Sequence, residues 1–178
     1  LSKSQHLMVE AGTGTGKSFA YLIPAVEWAI KNSLRVVIST NTITLQDQLI
    51  KKDIPDLAAA LNSEVRATVI KGRGNYLCPR RYSALRKNNP ETADELRVLA
   101  KTLVWLSQGG SGDRGEINLN GPAEREVWQR ISAEDEGCRA DVCISRTGGA
   151  CPFYRAHMAA QSAHILVVNH ALLLADVM

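Results

Sequence analysis

The chain has 178 residues, enough for one compact α/β domain that carries an insertion. It is 45% hydrophobic and 22% charged with a net charge of +3, which is ordinary for a globular protein. No apolar run approaches the ~18 residues of a membrane span, and no secretory signal is visible. We therefore expect a cytoplasmic protein without a membrane anchor. Because the chain begins without Met and stops in an apolar segment, we expect it to be a fragment.

The first 70 residues alternate between strand and helix patterns. Apolar runs predict strands at residues 7–11, 35–40 and 65–70. Amphipathic segments predict helices at residues 17–31 and 43–52, with a short helical piece at residues 57–61. In the first helix we expect Ala20, Ile23, Trp28 and Ile30 to form the apolar face, and Pro24 to lie in the first turns. This alternation predicts a parallel sheet with right-handed crossovers.

A glycine-rich loop joins the first strand to the first helix and reads E-A-G-T-G-T-G-K-S over residues 10–18. Its glycines allow successive N–H groups to point at one anion, and the following helix adds its positive end. Lys17 can reach the β- and γ-phosphates of ATP, and the Ser18 hydroxyl can bind Mg²⁺. Ala11 stands where the general pattern has glycine. The predicted nucleotide-binding residues are Ala11, Gly12, Thr13, Gly14, Thr15, Gly16, Lys17 and Ser18, of which Lys17 and Ser18 are also the predicted catalytic residues.

The regular alternation breaks after residue 70 and returns only near the end of the chain. Residues 71–76 look like a loop, and residues 109–121 like a flexible polar loop. Helices are predicted at residues 93–106, 124–131 and 156–160, and a fourth buried strand at residues 165–170. About 90 residues therefore separate two core strands. We interpret them as an insertion with few large apolar residues, held together by a ligand of its own.

Basic residues are concentrated within residues 66–87, where no Asp or Glu occurs. Such a run predicts a phosphate-binding face; the alternative is a solvated surface. The run contains Arg66, Lys71, Arg73, Arg80, Arg81, Arg86 and Lys87.

The four cysteines all lie in the predicted insertion: Cys78, Cys138, Cys143 and Cys151. A cytosolic nucleotide-binding protein keeps its thiols reduced, so a metal site is favoured over disulfides. Two short C-x-x-C hooks, typical of zinc sites, are absent. Thiolates suit zinc and iron–sulfur clusters equally, and the spacing does not choose between them.

Five segments together resemble the first motor domain of the XPD/DinG-like DNA helicases, most closely the bacterial DinG-like branch. They read A-G-T-G-T-G-K-S (11–18), I-S-T-N-T-x-x-L-Q-D-Q-L (38–49), K-G-R-G-N-Y-L-C-P-R-R (71–81), C-P-F-Y-R-A (151–156) and A-H-I-L-V-V-N-H-A-L-L (163–173). The resemblance covers nearly the whole chain, in the family's order and spacing.

The resemblance implies a RecA-like motor that moves 5′ to 3′ on single-stranded DNA and acts on forked or tailed duplexes, as in DNA repair. It implies that Cys78, Cys138, Cys143 and Cys151 hold a 4Fe-4S cluster. The segment from Ser39 to Thr42 corresponds to the family motif that grips the DNA backbone. The implied division is residues 1–71 for the motor domain, 72–160 for the iron–sulfur insertion and 161–178 for the return strand. We expect a monomer.

Two further expectations depend on this resemblance. The family's Asp-Glu-Ala-His motif and its second motor domain do not occur in the sequence, so we expect the intact protein to continue past Met178. Near the cysteines, the aromatic residues either stack on bases or pack around the cluster. These are Tyr76, Tyr82, Phe153 and Tyr154.

The alternative function is a nucleic-acid-binding or redox-sensing module that is cross-linked by a metal and whose nucleotide loop does not hydrolyse ATP.

Overall fold

The computed structural model describes residues 5–12, 14–134, 138, 143 and 151–177. The helices of this part are α1 (Lys17–Asn32), α2 (Ile43–Gln48), α3 (Ile54–Ala60), α4 (Pro79–Lys87), α5 (Ala93–Ser107), α6 (Gly121–Ile131), α7 (Pro152–Gln161) and α8 (His170–Val177). The strands are β1 (Val36–Thr40), β2 (Ala67–Val69) and β3 (Ile165–Asn169). Two compact units emerge, one from Leu1–Ile70 with Ala159–Met178 and the other from Lys71–Met158.

The first unit is built on a parallel sheet in the order β1-β3-β2. The last strand in the sequence therefore lies in the middle, where Ile165 is in register with Val36 on one side and Ala67 on the other. Non-consecutive parallel neighbours require crossover connections. Residues of α1 and α3 share one hydrophobic core with β1 and β3. The predicted α/β class with a parallel sheet is confirmed.

Strand β3 is buried on both faces, as its continuous apolar sequence indicates. Ile165 and Val167 face a core formed with α1, β1 and α3. Leu166 and Val168 face a second cluster with Ile70 and the end of α7. Alternate side chains of one strand thus join two cores.

Helix α1 confirms the predicted helix but buries a different face. The buried residues are Leu22, Ala25, Val26 and Ala29, which follow the three-four spacing of a helix stripe. Ala20 and Ile23, expected in the core, are exposed, and Trp28 and Ile30 are half-buried. Pro24 lies inside the helix rather than in its first turns.

The predicted strand at residues 7–11 is wrong for this structure. The segment has no regular secondary structure, and Leu7, Met8 and Val9 are 86%, 97% and 73% exposed. A strand needs a hydrogen-bonded neighbour, and in the described part of the chain this segment pairs with none of the three strands. Its apolar sequence alone therefore does not make it a strand.

The predicted helix at residues 43–52 changes its hydrogen-bond pattern halfway. Helix α2 gives way to a π-helical segment, Leu49–Asp53, which continues directly into α3. The extra residue in a π turn rotates the following face, and both Leu49 and Asp53 become buried.

The second unit has a hydrophobic core of its own, contrary to the expectation of an insertion held only by a ligand. The core contains Leu77, Tyr82, Val98, Leu99, Val127, Trp128 and Ile131, contributed by α4, α5 and α6. Trp128 is 2% exposed and its indole N–H donates to the carbonyl of Gly74 at 2.8 Å. In α5, Leu99 is buried, whereas Leu96 and Leu103 are 58% and 50% exposed.

Residues 109–121 are held in place by specific contacts and do not form the flexible loop that we expected. Gly112 has φ 93°, a Cβ there would collide with Pro152, and its carbonyl accepts from the Leu77 N–H at 2.9 Å. Glu116 accepts from the Trp105 indole at 3.1 Å and from the Ser111 N–H at 2.9 Å.

None of the helices in the described residues has the length and apolar character needed to cross a bilayer.

Candidate functional site

The glycine-rich loop takes the backbone conformation that its glycines predict. Gly14 and Gly16 have φ values of 76° and 74°, in the left-handed region. No atom lies within 4 Å of a Cβ built at either position. The requirement for glycine is thus conformational rather than steric. Gly16 immediately precedes α1, so the first N–H groups of that helix lie at the end of the loop. Thr13 is outside the described residues.

Lys17 folds back over the loop. Its Nζ donates to the carbonyl oxygens of Ala11 and Gly12 at 2.7 and 2.9 Å, and the Thr15 hydroxyl donates to the same Gly12 carbonyl at 2.9 Å. A positive charge is therefore held inside the loop before any anion arrives. Ala11 contributes only its carbonyl, which every residue type supplies, so the departure from glycine at this position leaves the loop's hydrogen bonds intact.

Ser18 lies one helical turn before Tyr21 on α1. Burial raises the pKa of the Tyr21 phenol, the Ser18 side chain opposes this, and the Asp53 carboxylate adds to the rise. Asp53 itself is 4% exposed and accepts from the Gln48 amide at 3.2 Å. Sequence reasoning missed Tyr21, although its i+3 position from Ser18 on the same helix is a readable signal.

The carboxyl ends of β1 and β3 form one edge of the sheet, because Thr40 is in register with Asn169. At this edge the Ser39 hydroxyl lies 2.7 Å from His170 Nδ1. The Asn169 side chain accepts from the Leu172 N–H at 2.7 Å and caps α8. The structure thus brings the Ser-Thr-Asn-Thr segment next to the Asn-His pair, for which the sequence offered no role.

The basic run at residues 66–87 does not form one continuous face. Lys71 is 4% exposed and its Nζ lies 2.7 Å from the Asp113 carboxylate. Arg81 donates to the carbonyls of Ser132 and Glu134 at 3.0 and 2.9 Å, beyond the end of α6. The guanidinium groups of Arg73 and Arg86 lie over aromatic rings. Lys71 and Arg81 therefore contribute to the packing of the second unit, while Arg73 and Arg86 are exposed on its surface.

The predicted cysteine ligands lie in the second unit, and three of them, Cys78, Cys143 and Cys151, are buried. Cys78 precedes α4, and its N–H donates to the Ile131 carbonyl at 2.8 Å. Cys138 is half-buried. The four are not joined in disulfides. Among the residues that the structure describes, no group of three or more His, Cys, Asp or Glu side chains is arranged to hold a metal ion.

The thiols nevertheless influence one another. Burial raises the pKa of the Cys138 thiol, and the neighbouring Cys143, Cys151 and Cys78 act in the same direction, while Arg73 opposes them. Mutual repulsion of this kind means that four thiolates need a cationic partner to share one site. The donor set fits a soft metal or an iron–sulfur cluster in its chemistry.

Two of the aromatic candidates are packing residues. Tyr76 and Tyr82 are each 4% exposed, and their hydroxyls bond the Lys71 N–H at 3.0 Å and the Leu99 carbonyl at 3.2 Å. Phe153 packs edge-on against Tyr76 with ring centroids 5.6 Å apart. Tyr76 and Tyr82 are consequently not available for stacking on bases.

Comparison with known proteins agrees with this loop and sheet. Residues 1–81 match the sequence profile of the DEAD/DEAH box helicase family. Over 97% of its length the chain is 36% identical to the ATP-dependent helicase DinG of Mycobacterium tuberculosis and 33% identical to the ATP-dependent DNA helicase DinG of Salmonella choleraesuis. It is also 33% identical over 97% of its length to the 3′-5′ exonuclease DinG of Bacillus subtilis.

The chain spans 28%, 26% and 18% of the length of these three relatives, in the same order. It is thus related over nearly its whole length to a segment of the DinG-like helicases, which confirms the resemblance. The α/β parallel sheet with its glycine-rich loop fits the RecA-like fold of such motors.

Proposed function

We propose that the intact protein is an ATP-dependent DNA helicase that moves 5′ to 3′ along single-stranded DNA. The observation that carries the proposal is the glycine-rich loop, in which Lys17 is already held by two loop carbonyls at the start of α1. Relatives named as DinG helicases share this segment of the chain. Forked and tailed duplexes are the proposed substrates, and we place the protein in the cytoplasm as a monomer.

The nucleotide site would comprise residues 11–18, including Thr13. Lys17 can exchange its two carbonyl partners for phosphate oxygens, because a charge-assisted bond to phosphate is stronger than a bond to a neutral carbonyl. Ser18 would hold Mg²⁺ through its hydroxyl. Loop N–H groups and the N-terminus of α1 would neutralise the remaining phosphate charge.

The nucleic-acid site would be the carboxyl edge of the sheet at Ser39, Thr40, Asn41 and Thr42. Thr42 accepts from the Leu45 N–H at 3.2 Å and so fixes the start of α2. Asn41 is exposed at the turn between β1 and α2. Polar side chains and main-chain N–H groups at such an edge suit a phosphate backbone and do not read its sequence.

The cysteine site would hold a 4Fe-4S cluster through Cys78, Cys138, Cys143 and Cys151, within residues 72–160. Such a cluster would cross-link the segment at Cys78 to the three cysteines between residues 138 and 151. Arg73, whose Nη1 lies 3.5 Å from the Cys138 carbonyl, would balance part of the thiolate charge. The second unit's own core means that the cluster adds to a packed scaffold and does not replace one.

ATP hydrolysis by the full-length protein, measured with and without single-stranded DNA, tests the nucleotide assignment. Lys17→Ala should lower the DNA-stimulated rate by roughly 100-fold or more, because one preorganised cation at the phosphates is lost. Lys31→Ala is the matched control: it lies at the other end of α1 in an exposed pair with Glu27 at 3.6 Å. Undiminished hydrolysis in the Lys17 variant would refute the assignment. Nucleotide binding without hydrolysis in the wild-type protein would favour the non-hydrolysing module instead.

Unwinding assays test the direction of movement. Duplexes that carry a 5′ single-stranded tail should be opened, and duplexes with only a 3′ tail should not. The reverse preference would contradict the proposed polarity.

A further inference from the structure

The exposed His170 is the first residue of α8, at the carboxyl end of the central strand β3. Its Nδ1 lies 2.7 Å from the hydroxyl of Ser39. Ser39 and the half-exposed Val37 are two positions apart on β1 and therefore lie on the same face of the strand. Two segments that are 131 residues apart in sequence thus meet at one polar point on the sheet edge.

The contact with Ser39 determines which chemistry the other ring nitrogen offers. When the Ser39 hydroxyl donates to Nδ1, a neutral imidazole carries its proton on Nε2. When the ring is protonated, Nε2 is again a donor. Only the tautomer in which Nδ1–H donates to Ser39 leaves Nε2 as an acceptor. Nε2 is therefore a donor whenever Ser39 donates to Nδ1 or the ring is protonated, and a phosphate oxygen requires a donor.

The sequence next to the contact lacks carboxylates. No Asp or Glu occurs in residues 35–46 or 164–175, the sequence on either side of the contact. The side chain of Asn169 accepts from the Leu172 N–H, but the first N–H groups of α8 precede that bond and remain near His170. Together the Nε2–H of the ring and the helix end form a small group of hydrogen-bond donors.

We propose that His170, oriented by Ser39, binds a backbone phosphate of single-stranded DNA through its Nε2–H. This inference rests on the proposed function, because it adds a contact to the strand path along Ser39 to Thr42. Ser39 is then a positioning residue for the ring, and His170 extends the DNA-binding edge from β1 to β3.

The test is the affinity of the full-length protein for a labelled oligo-dT strand, measured by fluorescence anisotropy. His170→Ala should weaken binding by roughly threefold to tenfold, the effect of one ordinary hydrogen bond at an exposed site. His170→Gln, whose amide nitrogen falls near Nε2, should restore most of the affinity. His170→Asn, whose amide falls near Nδ1, should not. Thermal unfolding of each variant shows that the fold is kept.

His164→Ala is the matched control, since His164 lies just before the opposite end of β3 and its ring contacts Arg66 at 2.7 Å. Its DNA affinity should equal that of the wild-type protein. His170→Ala with unchanged affinity, or equal behaviour of the Gln and Asn variants, would overturn the inference and leave the helicase proposal standing. A wild-type protein that does not bind the strand at all would overturn both.

Discussion

The nucleotide loop and the cysteine-bearing unit place their functional groups in opposite ways. In the proposed nucleotide loop, eight consecutive residues would supply every group. The described geometry is local: two glycines have positive φ, and Lys17 donates to carbonyls five and six residues earlier. The cysteines are spread from residue 78 to residue 151, and three of them are buried. A local site can form from its own backbone, whereas a distributed site depends on packing elsewhere.

The two regions also differ in what surrounds them. Before the loop, Leu7, Met8 and Val9 are exposed, so the loop has little support on that side in the described residues. Around Cys78, by contrast, Tyr76 and Ala133 are buried and the unit behind them has a complete apolar core. We infer that loss of side-chain packing should lower the stability of the second unit and leave the loop unchanged. Changes that restrict the backbone should impair the loop and leave the stability of the second unit unchanged.

Trp128→Ala should give the largest effect, because it removes the bulkiest side chain of the second core and a hydrogen bond to Gly74. The expected loss is about 3 to 5 kcal/mol of unfolding free energy, measured by denaturant titration of the protein without bound metal. Trp105→Ala is the control, since Trp105 is only half-buried beside it, with ring centroids 6.4 Å apart. Equal, small losses for both variants would mean that a ligand rather than packing holds this unit.

Gly16→Ala tests the backbone origin of the nucleotide loop. A Cβ meets no atom there, so the cost is the left-handed conformation at φ 74°, about 1 to 2 kcal/mol. ATP affinity should therefore fall by roughly tenfold. Gly12→Ala is the control, because its Cβ would lie 3.9 Å from Thr15 and no positive φ is required. Similar losses at both positions would contradict a conformational cause.

Gln46→Leu should stabilise the first unit. Gln46 is 1% exposed, and neither amide atom has a hydrogen-bond partner among the described residues. An unsatisfied buried polar group costs about 1 to 3 kcal/mol, so an apolar side chain of similar size should raise the unfolding free energy by about 1 kcal/mol. A lower free energy of unfolding would show that the amide is paired in the intact protein.

Lowering the pH should reduce the free energy of unfolding of the second unit through Glu124, by less than the substitutions described above. The hydrogen bond from Lys101, at 2.7 Å, and that from the Asn120 N–H, at 2.6 Å, lower the pKa of the Glu124 carboxyl. Because the pKa of Glu124 is lower in the folded than in the unfolded state, the ionised carboxylate stabilises the fold above the ordinary Glu pKa of about 4.3. This stabilisation is lost as the pH falls further. Glu124→Gln should flatten this acid dependence, measured by unfolding between neutral pH and pH 3. An unchanged pH profile would contradict the ion pair's role.

Local sequence features predicted the parts of the fold that local interactions determine. The strand at residues 35–40, the helix at residues 93–106 and the buried strand at residues 165–170 all correspond to elements of the structure. The positive φ of Gly14 and Gly16 follows from the spacing of glycines before Lys17. For each of these, periodicity or backbone freedom within about 15 residues is sufficient.

Features that depend on distant partners could not be predicted in the same way. The segment at residues 7–11 has a strand-like sequence, but strand formation requires a neighbour. Helix α4 was missed, although Pro79 at its start is a known helix signal. The Ser39–His170 contact joins segments 131 residues apart, and only the parallel register of β1 with β3 brings them together.

Metal analysis of the full-length protein, purified without oxygen, tests most directly the claim that the four cysteines form one site. We predict about four iron atoms and four sulfides per chain, with both lost together in Cys78→Ser. Zinc in place of iron, or iron that remains when Cys78 is replaced, would contradict the account.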